Sequence, residues 1–379
     1  HDGREWTPFL ETQAGLAPNH RPPVFDTPLP DLHLHTLPNT HGEVLRAGEI
    51  LHGGGIDPEK TALVLPDPGP LIPLLWEVFE SYDEKVNLTM GYPVTRTPLY
   101  TLLNEILSAA ESRREGRIYS RDYLRVLFHP YIKNLSAPLP GGGATESRDT
   151  RILVHCTEQY LRENERTYFH PESIGSERDL MERVQTMTEG RLLPEDAAFA
   201  LTHLHETYFE APARAGTLGE LARTLLAVVR ELAERSQAGY HPFFSLFFGT
   251  IADGLEELAA LQLADIHLES REILHAMTRA HFESSTVPFT GLPLQGLQVL
   301  GLLETRAQSF DTVVVMDANE SVLPAVPEVD PVLPHSVRKA LGLPGYDESV
   351  EVSRYHLFRL LESARTAHIL YRESAEESR

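Results

Sequence analysis

Two histidines on one predicted strand are the residues whose type and spacing most directly suggest chemistry. They lie in the run Asp31-Leu32-His33-Leu34-His35-Thr36, and side chains alternate along a strand, so His33 and His35 share one face. Two imidazoles on one face can bind a divalent metal, but a metal centre needs more ligands. The other histidines of interest are scattered in unlike contexts: His41, His129 and His155. We therefore predict an edge strand without a metal site.

The same run supports one remote alternative. A DxHxH pattern at the end of a strand resembles the first motif of the PHP phosphoesterases. That resemblance implies zinc or manganese bound at His33 and His35, together with further His and Asp ligands downstream. The sequence offers no convincing set of such ligands.

A second pattern suggests nucleotide chemistry. The run Thr312-Val313-Val314-Val315-Met316-Asp317 resembles a Walker B strand, in which the terminal aspartate holds Mg²⁺. Such an aspartate needs a phosphate cradle of the form GxxxxGK[ST]. The chain has only four lysines, and none follows a glycine (Lys60, Lys85, Lys133 and Lys339). The chain therefore contains no P-loop.

Other hydrolytic patterns are weaker still. The turn-like run Asp57-Pro58-Glu59-Lys60 has the letters of a PD-(D/E)xK nuclease, but its proline and charges predict a turn rather than a strand. There is no GxSxG motif, and the single cysteine, Cys156, has only the adjacent His155 as a neighbour. We expect no catalytic residue, no metal and no cofactor in this chain.

Charge limits any interaction with nucleic acid. The formal net charge is −22, whereas affinity for nucleic acid comes largely from Lys and Arg that neutralise phosphates. One local cluster is basic and interleaved with aromatic residues: Arg113, Arg114, Arg117, Arg121, Arg125 and Lys133, with Tyr119, Tyr123, Phe128 and Tyr131. Such a mixture suits single-stranded nucleic acid, but the helical spacing of the aromatics suits a core equally well.

The order of patterns along the chain predicts an α/β fold with a helical insertion. Residues 1–30 are Pro-rich and resemble a linker or the end of a missing N-terminal domain, and both ends resemble cuts in a longer protein. Strands are predicted at 32–35, 61–65, 86–90, 297–303, 312–316 and 368–371, and helices at 42–51, 71–79 and 352–361. Amphipathic helices dominate from 118 to 285, for example Leu218 to Leu232. No apolar run is long enough to span a bilayer, and one cysteine fits a reducing compartment, so we expect a cytoplasmic protein with no membrane partner.

One longer stretch resembles a known family. Leu297 to Val315, with its LLETR and FD elements, is similar to motif V of superfamily 1 helicases, most closely the AddB/RecC type. Asn319-Glu320-Ser321-Val322-Leu323-Pro324 is similar to the NEGxLP turn of that family. Looser similarities are found at Val86–Pro93, Thr97–Tyr100, Leu127–Tyr131, Asp330–Pro334 and Arg338–Pro344.

The resemblance implies a RecA-like parallel sheet, as in the helicase 2A domain, interrupted by an all-helical 2B-like insertion. The first part of the 2A-like domain would occupy residues 31–115, the insertion 116–285, and the second part 286–379.

The resemblance also implies loss of the motor. Active relatives carry a lysine and a Gly-x-Glu before the FD pair, where this chain has Arg306, Ala307 and Ser309. The motif VI arginine, which stabilises charge on the transferred phosphate, is replaced by Ser363. The motif IV arginine corresponds approximately to Ile72. We therefore expect these four positions to be degenerate nucleotide contacts: Ile72, Ala307, Ser309 and Ser363.

The function that the resemblance implies is a scaffold role in a bacterial helicase–nuclease that processes double-strand breaks. An ATP-hydrolysing AddA-like subunit would be the partner, and the chain would contact single- or double-stranded DNA ends. Six residues are predicted to touch DNA: Tyr92, Arg96, Arg121, Arg125, Thr305 and Arg306. Two alternatives remain open, namely the C-terminal half of an active ATP-dependent helicase and a protein-binding module without DNA contact.

Overall fold

The computed structural model describes residues 30–53, 55–81, 85–240, 243–268, 270–289, 295–306, 308–320, 322–325, 333–343 and 346–373. The chain divides into two compact units. Among the described residues, unit 1 combines those of 30–90 with those of 289–373, and unit 2 is Gly91–Pro288. Among the described helices, none is both long and apolar enough to cross a membrane.

Ten strands are described: β1 (Asp31–Leu37), β2 (Thr61–Val64), β3 (Val86–Leu88), β4 (Tyr92–Pro93), β5 (Ile118–Tyr119), β6 (Tyr168–Phe169), β7 (Thr286–Val287), β8 (Leu297–Leu300), β9 (Thr312–Val315) and β10 (Thr366–Arg372).

The α-helices in the described ranges are α1 (Thr40–His52), α2 (Leu71–Glu77), α3 (Pro98–Glu111), α4 (Ser120–Phe128), α5 (Pro130–Lys133), α6 (Ser147–Glu163), α7 (Pro171–Gly175), α8 (Arg178–Met187), α9 (Pro194–His205), α10 (Ala211–Arg214), α11 (Leu218–Arg235), α12 (Phe244–Ala260), α13 (Arg271–Glu283), α14 (His335–Ala340) and α15 (Tyr346–Ser363). A π-helical turn, Glu206–Glu210, joins α9 to α10.

Unit 1 is an α/β unit built on a six-stranded sheet in the order β1-β10-β9-β2-β8-β3, with every pair parallel. Strands β2 and β8 are buried at every position, as expected for short aliphatic strands covered on both faces. The α/β prediction is confirmed. Strand β8 is shorter than predicted, because the chain after Leu300 turns into a 3₁₀ segment, Leu303–Thr305.

Helices cover the two faces of this sheet. On one face, Leu360 of α15 and Ala364, which follows the helix, pack with Phe310, Val313 and Val315. Helix α1 contacts β1 and β10 on the other face, and it begins where the Asn39 side chain accepts a hydrogen bond from the backbone N–H of Gly42 at 2.9 Å. The edge strand β1 is bonded only to β10 among the described strands, as predicted for an edge strand.

Unit 2 is mainly helical, but it is not all-helical as predicted. Two short antiparallel pairs, β4 with β7 and β5 with β6, lie among its helices. Strands of two residues carry no periodic signal, so the sequence could not reveal them. Two of its longest helices, α11 and α12, pack against each other, and α11 begins with Thr217 accepting from the backbone N–H of Glu220 at 3.1 Å.

The limits of the two units differ from the predicted domain limits. The first boundary lies after Met90 rather than after residue 115, because α3 belongs to unit 2 and packs there with α4 and α10. The second lies after Pro288, close to the predicted 285/286.

Candidate functional site

The carboxyl edge of the parallel sheet carries a cluster of three charged side chains. Asp317 follows β9 with a positive φ of 52°, and Arg372 ends β10. The Arg372 guanidinium donates from Nη2 to the Asp317 carboxylate and from Nη1 to Thr40 Oγ1 at 3.2 Å. The aspartate that resembles a Walker B residue is therefore already bound to an arginine of its own sheet.

Glu43 of α1 completes this cluster. It is 0% exposed, and its Oε1 accepts from the backbone N–H of Asp317 at 3.1 Å. Burial and the nearby Asp317 charge raise the pKa of Glu43 to about 7. Arg372 Nε lies 3.7 Å from Glu43 Oε2, too far for a hydrogen bond. We infer that Glu43, Asp317 and Arg372 clamp α1, β9 and β10 together, and a metal at Asp317 would have to displace Arg372.

Three stacked imidazoles lie on the α1 face of the β1 edge. His33 and His368 are register partners with ring centroids 4.7 Å apart, and His35 lies 5.3 Å from His368. Arg46 Nε donates to His35 Nδ1 at 3.3 Å. Arginine can only donate, so neutral His35 carries its proton on Nε2 and donates to His368 Nδ1 at 3.1 Å.

This hydrogen bonding disfavours a metal centre. A histidine that ligates through Nε2 needs an acceptor at Nδ1, whereas Arg46 supplies a donor there. Within the described ranges, no group of three or more His, Cys, Asp or Glu residues has metal-binding geometry. The arrangement thus gives no support to the PHP alternative, and the interpretation of an edge strand is sufficient.

The amino edge of the sheet brings two of the predicted degenerate positions together. Ser309 and Ser363 are both exposed, and each lies two residues before one member of the pair Asp311 and Arg365. The backbone N–H of Arg365 donates to Asp311 O at 2.9 Å, and its side chain Nε lies 3.5 Å from Asp311 Oδ1. The Ser363 hydroxyl donates to Leu360 O at 2.8 Å.

The other two degenerate positions are not part of this edge. Ile72 lies at the start of α2, which follows the carboxyl end of β2. In a parallel sheet that end is opposite to the edge with Ser309 and Ser363. The structure therefore does not bring Ile72 together with Ser309 and Ser363, and its correspondence to the motif IV arginine stays a prediction. Ala307 lies outside the described residues.

Burial separates the residues predicted to touch DNA in unit 1. Thr305 is 5% exposed, and its hydroxyl donates to Leu302 O at 2.6 Å. Arg306 is exposed and donates from Nε to Leu303 O at 3.0 Å. Burial lowers the pKa of His356, and the nearby positive charge of Arg306 lowers it further. Only Arg306 of this pair can meet a ligand without rearrangement.

The residues of unit 2 that are predicted to touch DNA also divide into buried and exposed ones. Tyr92 is 9% exposed and stacks on Phe247 with centroids 6.3 Å apart, so little of its ring is accessible to a base in this conformation. Arg96, at the end of a 3₁₀ turn, is exposed. Arg121 and Arg125 are exposed on α4, and Arg125 donates to Asp122 Oδ1 at 3.1 Å.

The basic and aromatic cluster is only partly a surface. Arg113 forms a two-pronged ion pair with Glu210 at 2.5 and 3.0 Å, with 13% of its side chain exposed. Tyr123 is fully buried and is 2.7 Å from His205 Nε2. Burial raises the pKa of Tyr123 and lowers that of His205 to about 3. These members belong to the core of unit 2.

The remaining chemical patterns have structural roles. Asp57 accepts from the backbone N–H of Glu59 at 3.1 Å and caps the 3₁₀ turn Pro58–Lys60, so the prediction of a turn there is confirmed. Cys156 is buried in α6, and desolvation raises the pKa of its thiol, which makes it a poor nucleophile.

Three residues of the sheet edges were missed by sequence reasoning. Glu43 occupies an ordinary position in an amphipathic helix, and Arg372 and His368 lie at the end of the chain, far in sequence from their partners. Only the register of β10 against β1 and β9 reveals these contacts. Comparison with known protein families and with curated proteins finds no match to this chain.

Proposed function

We propose that this chain is a non-catalytic, helicase-like scaffold from an AddB/RecC-type subunit of a bacterial helicase–nuclease. In this role it would contact a DNA strand and an ATP-hydrolysing AddA-like subunit. The proposal starts from the similarity of residues 297–324 to motif V and the turn after it. The parallel six-stranded sheet with a helical unit inserted between β3 and β8 is compatible with a RecA-like 2A domain and its 2B insertion.

One observation carries the proposal. Ser309 and Ser363 replace a glutamate and an arginine of active relatives, and they lie at the same edge of the sheet, near Asp311 and Arg365. A short neutral hydroxyl cannot balance charge that develops on a transferred phosphate, a contribution worth several kcal/mol. Two losses at one place agree better with an inactive motor than with scattered variation.

A second candidate has one observation in its favour. The side chain of Arg365 is 82% exposed, and it lies two residues after Ser363 at the same edge. A guanidinium there has the charge that a nucleotide-contacting arginine needs. If a P-loop domain exists elsewhere in the protein, Arg365 could serve the active half of an ATP-dependent helicase.

The first test measures ATP turnover. We expect the purified chain to hydrolyse no ATP above background, with or without single-stranded DNA. We also expect co-expression with an adjacent-gene P-loop helicase to give a stable complex whose ATPase is unchanged by Arg365→Ala. Turnover by the chain alone would refute the scaffold role, and loss of turnover in the complex with Arg365→Ala would favour the second candidate.

The second test measures DNA contact. We expect weak binding of a labelled oligothymidine by the chain, decreasing steeply between low and physiological salt because counterions are released. Arg306→Gln should weaken this binding, whereas Arg354→Gln, on an exposed helix face of the same unit, is the matched control. Salt-independent binding, or none, would leave only a protein-binding role.

A further inference from the structure

The ribbon of β5 and β6 in unit 2 has two unlike faces. Its register pairs Ile118 with Phe169 and Tyr119 with Tyr168, and directly paired residues of antiparallel strands share a face. Ile118 and Phe169 are 0% and 2% exposed, and Phe169 contacts the buried Tyr123 edge-on at 4.9 Å. Tyr119 and Tyr168 therefore form the outer face, where both are only half-buried.

A tight turn places arginines beside this tyrosine pair. Arg114 and Arg117 exchange two backbone hydrogen bonds, both of 2.9 Å. The two residues between them, Glu115 and Gly116, have φ of 52° and 78°, as a type I′ hairpin turn requires. The Arg114 guanidinium lies 5.5 Å from the centroid of the Tyr168 ring, within cation–π range.

The tyrosines also interact with each other. Their ring centroids are 5.3 Å apart at an angle of 32°. Cross-strand aromatic pairs stabilise sheets, so a purely structural role would account for this contact. It would not account for the exposed arginines beside the pair.

Four exposed arginines lie close to the tyrosine pair. Arg114, Arg117, Arg121 and Arg166 are exposed within a few residues of the tyrosine pair. Arg117 pairs with Glu115 at 2.7 Å, and Arg166 lies 3.8 Å from Glu177. Among the described residues, Arg114 and Arg121 have no carboxylate within ion-pair distance. The chain as a whole has a formal net charge of −22, so unpaired arginines beside half-exposed aromatic rings are an unusual local combination.

We propose that this aromatic ribbon (Arg114, Arg117, Tyr119, Arg121, Arg166 and Tyr168) is a contact site for single-stranded nucleic acid. Tyr119 and Tyr168 would stack on bases, and the arginines would pair with phosphates, which is how strands are bound without sequence preference. The inference rests on the proposed DNA contact, but it assigns that contact to unit 2 and to residues far apart in the sequence.

The test uses the full chain and a fluorescein-labelled oligothymidine, with binding measured by anisotropy. We expect Tyr119→Leu with Tyr168→Leu, which keeps apolar bulk, to weaken binding about ten-fold or more. Arg114→Gln with Arg121→Gln should weaken binding and reduce the salt slope by about two. The matched control is Arg230→Gln, an exposed arginine on α11 paired with Glu256 at 3.2 Å, which should bind as the parent chain does.

Thermal unfolding of each variant separates folding from binding, and the arginine pair remains informative if the tyrosine pair fails to fold. Unchanged affinity of folded ribbon variants would overturn the assignment while leaving a DNA contact elsewhere. Absence of binding by the parent chain would instead overturn the proposed DNA contact itself. Selective binding of a proline-rich peptide to the ribbon, with no binding of oligothymidine, would assign this surface to a protein partner and overturn the inference.

Discussion

A half-buried guanidinium lies between two buried carboxylates at the carboxyl edge of the sheet in unit 1. Arg372 is the only described cation in contact with Glu43 and Asp317, and removal of one partner from a buried ion cluster leaves uncompensated charge. We therefore expect Arg372→Met to lower the free energy of unfolding by about 3–5 kcal/mol. Urea denaturation followed by tryptophan fluorescence would measure the loss.

A matched control distinguishes burial from charge. Arg354 pairs with Glu351 at 3.0 Å on an exposed helix face, where such pairs contribute about 0–1 kcal/mol. Arg354→Met should therefore be nearly neutral. Equal effects of the two substitutions would show that the Glu43–Asp317–Arg372 cluster is not the clamp described above.

Glu43 gives the stability of unit 1 a defined dependence on pH. The pKa of Glu43 is raised from an ordinary value of 4.5 to about 7 in the folded chain, so the folded state holds an extra proton between these values. Its contribution is fully present below about 4.5 and is lost as the pH rises through about 7. We expect Glu43→Gln to remove this decrease, as measured by urea midpoints across that range. A parent-like decrease in the variant would contradict the assignment.

At the scale of the element, β1 depends on a neutral histidine network. Burial, with the neighbouring His33, His35 and Arg46 charges, lowers the pKa of His368 to about 4, and burial also lowers that of His35. The unfolded chain therefore takes up protons first as the pH falls below about 6.5. The stabilising contribution is present above that value and is lost as the pH falls through about 4.

Protonation would also remove both hydrogen bonds of the network, because each imidazolium nitrogen becomes a donor. We expect the amides of β1, which pair only with β10 among described strands, to lose hydrogen-exchange protection at pH 5 relative to pH 7. Amides of the central strand β2 should not. His35→Asn with His368→Asn should make β1 insensitive to pH, and a persisting difference would place the sensitive group elsewhere.

Helix α12 offers a matched pair of glycines for testing how tightly unit 2 is packed. A Cβ at Gly254 would lie 2.6 Å from Phe282 Cε1, and Phe282 is 1% exposed. Gly254→Ala should therefore cost about 1–3 kcal/mol through overpacking. Gly249, five residues earlier, has nothing within 4 Å of its Cβ position, so Gly249→Ala should stabilise the helix by about 0.5–1 kcal/mol. Thermal unfolding of the two variants should shift in opposite directions, and a stabilising Gly254→Ala would mean that α12 and α13 are not in contact as described.

The same elements show how much the sequence alone could predict. Aliphatic runs such as Thr61–Val64 and Thr312–Val315 predict buried parallel strands, and the helical period of Leu218–Arg235 predicts an amphipathic helix. The edge clusters could not be predicted, because Glu43 meets Arg372 only where helix α1 packs on the end of β10. The sequence also did not reveal that Ile72 and Ser363 lie at opposite edges, because sequence order does not state at which end of the sheet a loop lies.

At the scale of the whole molecule, an acidic chain can bind a strand only through a local surface. Negative charge spread over the chain repels phosphates at low salt. Arginine–phosphate pairs and stacking of bases on tyrosines act only at contact distance. The aromatic ribbon and Arg306 are two places where exposed arginines of the described residues are proposed to meet a strand. Both proposals therefore predict weak affinity that is sensitive to single substitutions.

The ends of unit 2 meet each other, which is the geometry that a domain insertion requires. Strand β4 pairs with β7, and the backbone N–H of Val94 donates to Ser285 O at 3.0 Å. A Cβ at Gly91 would lie 2.6 Å from Thr286 Cβ, so the two chain segments are in close contact there. Unit 2 therefore has its own hydrophobic core, and its first and last segments are hydrogen-bonded to each other.

We therefore expect residues 91–288, expressed alone, to unfold cooperatively in urea as followed by circular dichroism. Residues 91–288 contain no tryptophan, whereas Trp76 belongs to unit 1, so a change in its fluorescence reports unit 1. In the intact chain, the helical circular dichroism signal should be lost at the same urea concentration as in residues 91–288. Gly91→Val should lower that urea concentration in both proteins, because the added methyl groups meet Thr286. Two results together would contradict this expectation: fluorescence and circular dichroism change at the same urea concentration in the intact chain, and residues 91–288 alone show no cooperative unfolding. Unit 2 would then need unit 1 in order to fold.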